Sequence, residues 1–224
     1  MTYTLAFDVY GTLIDTQGVT NKLHSYLGDL AAQFAQQWRD KQLEYAFRRG
    51  LMEDYVNFSD CIQQALEYTC QHFDVYLSTE QKNVLLECYL SLPAFEDVAP
   101  GLSALAETNH QLFAFSNGTT EAVESLLSHS ELDSFFSEIV TVETTKTFKP
   151  SPKVYQHLLH TTQSSADATW LVSSNPFDII GAASQGLQTA WIKRSEKAVF
   201  DPWGVEPTLI VENIVALSEA LAQQ

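Results

Sequence analysis

Apolar positions along the chain change their spacing twice, and each change marks a different kind of structure. The run from Thr2 to Phe7 mixes β-formers with apolar residues and stops at Asp8, with Gly11-Thr12 just beyond. This predicts a short buried strand ending in a turn. From about Val19 to Leu90 there is no proline, glycine occurs only at Gly28 and Gly50, and apolar residues recur at helical spacing, as in Leu43, Phe47, Leu51 and in Ile62, Leu66, Cys70. That stretch is predicted to be all helix. After Pro93 the pattern alternates: a helix over 101–107, a strand over 111–115, a turn at Asn117-Gly118, a helix over 119–128 and a strand near 138–142. A loop at Lys149-Pro150-Ser151-Pro152 then leads into a helix through Tyr155, a strand over 169–172, a helix over 178–185 and a strand over 189–192. Such alternation predicts an α/β fold, a parallel sheet with helices on both faces. The first strand belongs with this later set, so the helical stretch is an insertion after strand one.

Composition narrows the picture. At 224 residues the chain exceeds an average domain of about 150, which suits one core with an insertion and not a tandem array. With 45% hydrophobic and 18% charged residues it has ample apolar surface for a core. Twelve Lys+Arg against 28 Asp+Glu give a net charge of -16. Such a surface repels phosphate backbones and anionic lipid, so no nucleic-acid or membrane partner is expected. No apolar run approaches the ~18 residues of a membrane-spanning helix, and the first residues lack the basic-then-apolar pattern of a leader. Cys61, Cys70 and Cys88 are odd in number and show no CxxC spacing, which fits reduced thiols and a cytoplasmic protein.

In a parallel sheet, ligands bind beyond the carboxyl ends of the strands, where strand order reverses. The residues following the predicted strands are Asp8-Val9-Tyr10-Gly11-Thr12, Ser116-Asn117-Gly118, Lys149-Pro150 and Ser173-Ser174-Asn175-Pro176-Phe177-Asp178. Asp8 alone is either a turn-former bonding its own backbone or a nucleophile. A hydroxyl at Ser116, an ammonium at Lys149 and a carboxylate at Asp178 follow in an order that converges them on the same sheet edge. Asp178, at the start of a predicted helix, also suits an N-terminal carboxylate that stabilises the helix dipole.

These four clusters resemble, in order, the four motifs of the haloacid dehalogenase superfamily. The resemblance implies a Rossmann-like core over 1–15 and 94–224 and a helical cap over 16–93. Most members of that superfamily are phosphatases, which place an aspartate two residues after the nucleophile to protonate the leaving alkoxide and bind Mg²⁺. Here that residue is Tyr10. A halide leaves without a proton, so the Asp-x-Tyr arrangement resembles the L-2-haloacid dehalogenase branch. The stretch Trp38-Arg39-Asp40-Lys41-Gln42-Leu43-Glu44-Tyr45, Phe148-Lys149-Pro150 with Val154-Tyr155, and Trp191-Ile192-Lys193-Arg194 are similar to that branch as well. Pro176-Phe177 departs from it, standing where a small residue and tryptophan are usual, and Thr145-Lys146-Thr147 stands where arginines are common.

The resemblance implies hydrolysis of a small anionic 2-haloacid without metal or cofactor, by a homodimer. Asp8 attacks C2 with inversion to form an ester that water then hydrolyses, giving a D-2-hydroxy acid from the L substrate. Lys149 keeps Asp8 ionised, and Thr12 fixes its carboxylate. Asp178, Ser173 and Asn175 hold Lys149 and position the water. Ser116, with backbone amides near Val9 and Tyr10, binds the substrate carboxylate. Arg39 and Asn117 face the departing halide. Tyr10, Leu43, Phe58 and Phe177 form a dry wall around the alkyl group, and Tyr155 supports the site by hydrogen bonding. Without the resemblance, Arg39 would be a solvated helix-face charge, and Leu43 and Phe58 would be ordinary core. An Mg²⁺-dependent phosphatase of the same superfamily and a non-catalytic anion-binding domain are the alternatives.

Overall fold

The structure is a computed structural model and describes residues 2–223. Strand β1 (Thr4–Asp8) is buried along its whole length, as a strand covered on both faces must be. It lies at the centre of a six-stranded parallel sheet with β2 (Gln111–Ser116), β3 (Glu138–Thr141), β4 (Thr169–Ser173), β5 (Gln188–Ile192) and β6 (Leu209–Val211), in the order β3-β2-β1-β4-β5-β6. The chain first runs outward from β1 through β2 to β3, then returns to the other side of β1 for β4. Strand order therefore reverses at β1, and the carboxyl ends of β1, β2 and β4 converge there.

Between β1 and β2 the chain forms α1 (Gln17–Leu27), α2 (Ala31–Met52), α3 (Phe58–His72) and α4 (Thr79–Cys88), the expected helical insertion. It leaves and re-enters the core through two linkers that bond to each other: Asp15 N–H donates to the Pro93 carbonyl at 2.8 Å and Phe95 N–H to the Leu13 carbonyl at 3.0 Å. The remaining helices are α5 (Val98–Ala106), α6 (Thr120–His129), α7 (Pro152–Thr161), α8 (Pro176–Ser184) and α9 (Ile214–Leu221). No helix among the described residues is long and apolar enough to cross a membrane.

Two details differ from the pattern in the sequence. Strand β6 and helix α9 follow the last predicted strand. β6 is only three residues long and half-exposed, too short to show a period. On α2 the buried stripe is Phe34, Trp38, Gln42 and Ala46, not Leu43, Phe47 and Leu51. Trp38 sets the roll of the helix by donating from Nε1 to the Ile62 carbonyl on α3 at 2.8 Å. That turns Leu43 and Phe47 to half-buried positions and leaves Leu51 87% exposed.

Candidate active site

β1 delivers Asp8 to the switch point, and the turn after it folds back onto the carboxylate. The Val9 carbonyl accepts from the N–H groups of Thr12, Leu13 and Ile14, at 3.3, 2.9 and 3.0 Å. So tight a turn needs a left-handed residue, which Gly11 supplies at φ 80°. The turn brings the Thr12 hydroxyl to Asp8 Oδ2 at 2.9 Å. From the β4–α8 loop, Ser173 Oγ donates to the same oxygen at 3.2 Å and Asn175 Nδ2 at 2.7 Å. Ser174 ties the two loops together, its N–H donating to Thr12 Oγ1 at 2.8 Å and its hydroxyl to the Gly11 carbonyl at 2.7 Å.

The other Asp8 oxygen has a different environment. Oδ1 accepts from Lys149 Nζ at 3.1 Å, and the same ammonium donates to Asp178 Oδ2 at 2.9 Å and to the Phe115 carbonyl at 2.9 Å. All three ammonium hydrogens thus have acceptors. Lys149 is only 1% exposed, and its Nζ lies 4.0 Å from the centroid of the Phe115 ring. Burial by itself drives Lys149 toward the neutral amine, but the carboxylates of Asp178 and Asp8 outweigh it and raise the pKa above the ordinary lysine value. Burial raises Asp178 as well, reinforced by the like charge of Asp8 and opposed by Lys149. One ammonium therefore faces two carboxylates in a dry site, which favours the charged form of the lysine.

Behind this pair, Tyr155 donates to Asp178 Oδ1 at 2.8 Å. Its own pKa is held well above the usual phenol range, first by burial and then by Asp178, so it remains a donor. The approach of α8 to Tyr155 depends on Gly181, where a Cβ would overlap the Tyr155 hydroxyl and Pro150.

The sequence-predicted residues fall into three groups. Asp8, Thr12, Lys149, Ser173, Asn175 and Asp178 form one hydrogen-bonded cluster. Within it Ser173 and Asn175 bond Asp8 and not Lys149, because the loop after β4 passes over the Oδ2 side of the carboxylate. Asp178 accepts from Lys149 on one oxygen and from Tyr155 on the other, so it anchors the lysine. Tyr155 is fully buried behind Asp178, away from any substrate surface.

The second group flanks the cluster. Ser116, buried at the end of β2, accepts the Gly118 N–H at 3.0 Å and keeps its hydroxyl hydrogen to donate. Asn117 Oδ1 accepts the backbone N–H of Lys149 at 2.9 Å, fixing the lysine loop and leaving the amide nitrogen as a donor. Val9 is buried in the turn. Tyr10 is pushed up to about 12, by burial first, then by Tyr89, against an opposing effect of Arg39, so it is a phenol at neutral pH.

The third group is the wall formed by the cap and the core side chains that face it. The Arg39 side chain makes no hydrogen bond or ion pair among the described residues. Its charge acts on the hydroxyls of Tyr10 and Tyr89, and it lines a cavity of about 300 Å³ between α1 and α2. Phe58 and Tyr10 line a cavity of about 240 Å³, whereas Phe177, with Phe47 and Lys149, lines a separate cleft of about 580 Å³. The expected single alkyl wall is thus divided: Phe177 is turned toward the α2 side, edge-on to Phe47 with centroids 5.2 Å apart. Leu43 is half-buried on α2, one turn beyond Arg39. Sequence reasoning missed Tyr89, whose hydroxyl accepts from Gln42 at 2.9 Å and whose ring lies 6.2 Å from that of Tyr10. Nothing near it in the chain marks it. Ser174 was legible from its place between two site residues.

Comparison with known proteins places these observations. The family model described as haloacid dehalogenase-like hydrolase matches residues 5–192. The chain is 33% identical over 215 residues to an (S)-2-haloacid dehalogenase of Pseudomonas sp. (strain YL), covering 96% of this chain and 92% of that one. It is also 33% identical over 218 residues to haloacetate dehalogenase H-2 of Moraxella sp. (strain B), covering 97% of each. The solved structure of L-2-haloacid dehalogenase from Xanthobacter autotrophicus superposes with a TM-score of 0.93 at 24% identity, covering 100% of both chains, and shares the fold.

Proposed function

The chain belongs to the haloacid dehalogenase-like hydrolases, and from that premise we propose that it hydrolyses the carbon–halogen bond of short L-2-haloalkanoic acids to give D-2-hydroxy acids. The observation that carries this reading is Tyr10. Two residues beyond the nucleophile, where expulsion of an alkoxide calls for a carboxylic acid, stands a buried phenol pushed up to about 12. A halide is so weak a base that it leaves without a proton.

Oδ2 of Asp8 accepts three hydrogen bonds, whereas Oδ1 meets only Lys149 among the described residues. Oδ1 is therefore the nucleophile. It forms the bond to C2 opposite the halogen, and the carbon–halogen electron pair departs with the halide toward Arg39, where a cation meets charge that develops only in the transition state. Ser116 and Asn117 orient the substrate. Water then adds to the Cγ carbon of Asp8, and the charge gathering on Oδ2 meets the donors of Thr12, Ser173 and Asn175. The Cγ–Oδ1 bond breaks, one water proton stays with the hydroxy acid and the other goes to solvent. C2 is not touched again, so the inversion stands. No metal is needed in this scheme, because Lys149 balances the Asp8 charge.

The test is halide release from L-2-chloropropionate in the presence of EDTA, expected for the native protein and abolished in Asp8→Asn. Absence of release together with Mg²⁺-dependent hydrolysis of p-nitrophenyl phosphate would establish the phosphatase alternative. The same proposal includes a core of 1–15 and 94–224 with a cap of 16–93, supported by the paired linkers, and a cytoplasmic location, supported by the free thiols. It also includes a homodimer, supported by exposed Leu51 and Trp203 at the edge of the large cleft. Light scattering checks the dimer.

A further inference from the structure

We propose that Arg194 is a positioning residue for the Asp8 carboxylate, acting through Thr12. The proposal rests on the reading above for its kinetic readout, though not for its geometry. Thr12 is fully buried, and its two polar ends have separate partners. Its hydroxyl lies between Asp8 Oδ2 and the Ser174 N–H. Its carbonyl receives no backbone donor among the described residues and is satisfied by Arg194 alone, through Nε at 3.2 Å and Nη2. A buried carbonyl held by two prongs of a planar guanidinium fixes its peptide plane, and hence the direction in which the Thr12 side chain leaves the backbone.

Arg194 is itself held on its remaining sides. It follows β5 by two residues, and Nη1 donates to Asp97 Oδ1 at 2.6 Å. The other Asp97 oxygen accepts the Ile214 N–H at 2.7 Å at the start of α9. The Phe95 ring lies against the guanidinium, 4.1 Å from its central carbon. The chain of contacts runs from α9 through Asp97, Arg194 and Thr12 to the oxygen that carries charge during ester hydrolysis. Arg194 does not bond Asp8, so its influence passes through Thr12. With the guanidinium removed, the Thr12 carbonyl is left buried without a donor, the turn shifts to find one, and the hydroxyl leaves its line to Oδ2.

A double-mutant cycle of Arg194→Gln and Thr12→Ala, with Arg194→Lys alongside, tests this with L-2-chloropropionate. Arg194→Gln is expected to lower kcat about tenfold or more while KM stays within about twofold, with Arg194→Lys intermediate. In the Thr12→Ala background Arg194→Gln is expected to change kcat by less than about twofold, since its route of action is gone. Losses that multiply in the double variant, or an unchanged kcat per folded molecule in Arg194→Gln, would overturn the proposal. If Arg194→Gln does not fold, Asp97→Asn loosens the guanidinium without removing it and takes its place in the cycle under the same criteria. A native protein that releases no halide indicts the functional reading instead. A crystal structure of the variant then decides the positioning: it fails if Thr12 Oγ1 still bonds Asp8 as in the native protein.

Discussion

The sheet edge around Asp8 and the cap wall that faces it are built on opposite principles. At the sheet edge nearly every polar atom has a partner: Asp8 takes four hydrogen bonds, Lys149 donates three, and Asp178 is anchored on both oxygens. The cap offers Arg39 without an acid, aromatic rings and cavities. A fully satisfied buried network tolerates no loss, because removing one partner strands the rest. An unpaired cation over a cavity is available to a ligand and holds little of the fold. On the proposed reading, chemistry is assigned to the wired half, and halide and alkyl recognition to the sparse half.

Lys149→Met probes the wired half and has the largest expected effect. It leaves Asp8 and Asp178 facing each other without a cation in a dry site, a loss of about 3–5 kcal/mol in urea unfolding together with loss of turnover. The pH dependence has a defined sign. The folded-state pKa of Lys149 is raised above 10.5, so its contribution to stability is complete below that pH and is lost as pH rises through the folded value. Native protein should lose stability on that alkaline limb, and Lys149→Met should lack this part of the slope. A variant as stable as the native protein would break the contrast between the two regions.

Arg39→Gln probes the sparse half. With no partner to strand, it should change stability by no more than about 0.5 kcal/mol. If Arg39 meets the departing halide as proposed, its removal should lower kcat about 10²–10³-fold. A large stability loss with intact turnover would show that Arg39 is a structural residue and that the cap is wired after all.

The same contrast explains what could be read from the sequence. Asp8, Ser116, Lys149 and Asp178 were legible because each ends a strand or lies in the loop beyond one, and a parallel sheet forces strand ends together. The insertion was legible as a change of period. Bonding partners within the cluster were not: Ser173 and Asn175 follow β4, but only the path of their loop decides that they reach Asp8 and not Lys149. In the cap, the roll of α2 is set by Trp38 reaching a carbonyl on another helix, which no spacing rule contains. Tyr89 and Arg194 bond partners 47 and 182 positions away, Gln42 and Thr12; the Trp191-Ile192-Lys193-Arg194 stretch stands out by its resemblance, but nothing local in the chain shows which partner either residue meets.

Phe177→Ala sharpens the division where the core faces the cap. The edge contact with Phe47 bridges α8 and α2, so its loss should cost about 0.5–1.5 kcal/mol of stability beyond the area exposed. If the cleft of about 580 Å³ communicates with the site, the variant should lower KM for 2-haloacids with longer chains relative to 2-chloropropionate. An unchanged ratio across chain lengths would assign substrate size to the Tyr10 and Phe58 side alone.

The smallest expected effect concerns the field of the whole molecule against that of the site. The net charge of -16 repels a monoanionic substrate, and the buried cluster of Lys149, Asp8 and Asp178, two carboxylates to one ammonium, places part of that negative charge at the site. Attraction must then come from Arg39 and the neutral donors of Ser116 and Asn117, which act only at short range. Added salt screens the long-range repulsion over a Debye length of about 10 Å at 0.1 M and leaves contact-range donors nearly untouched. kcat/KM for a haloacid should therefore rise modestly with inert salt at low ionic strength, measured with a non-halide salt so that product inhibition does not enter. A steep fall would mean that the unpaired cation of the cap already reaches far enough into solvent to steer the anion, and the sparse half would then govern encounter as well as recognition.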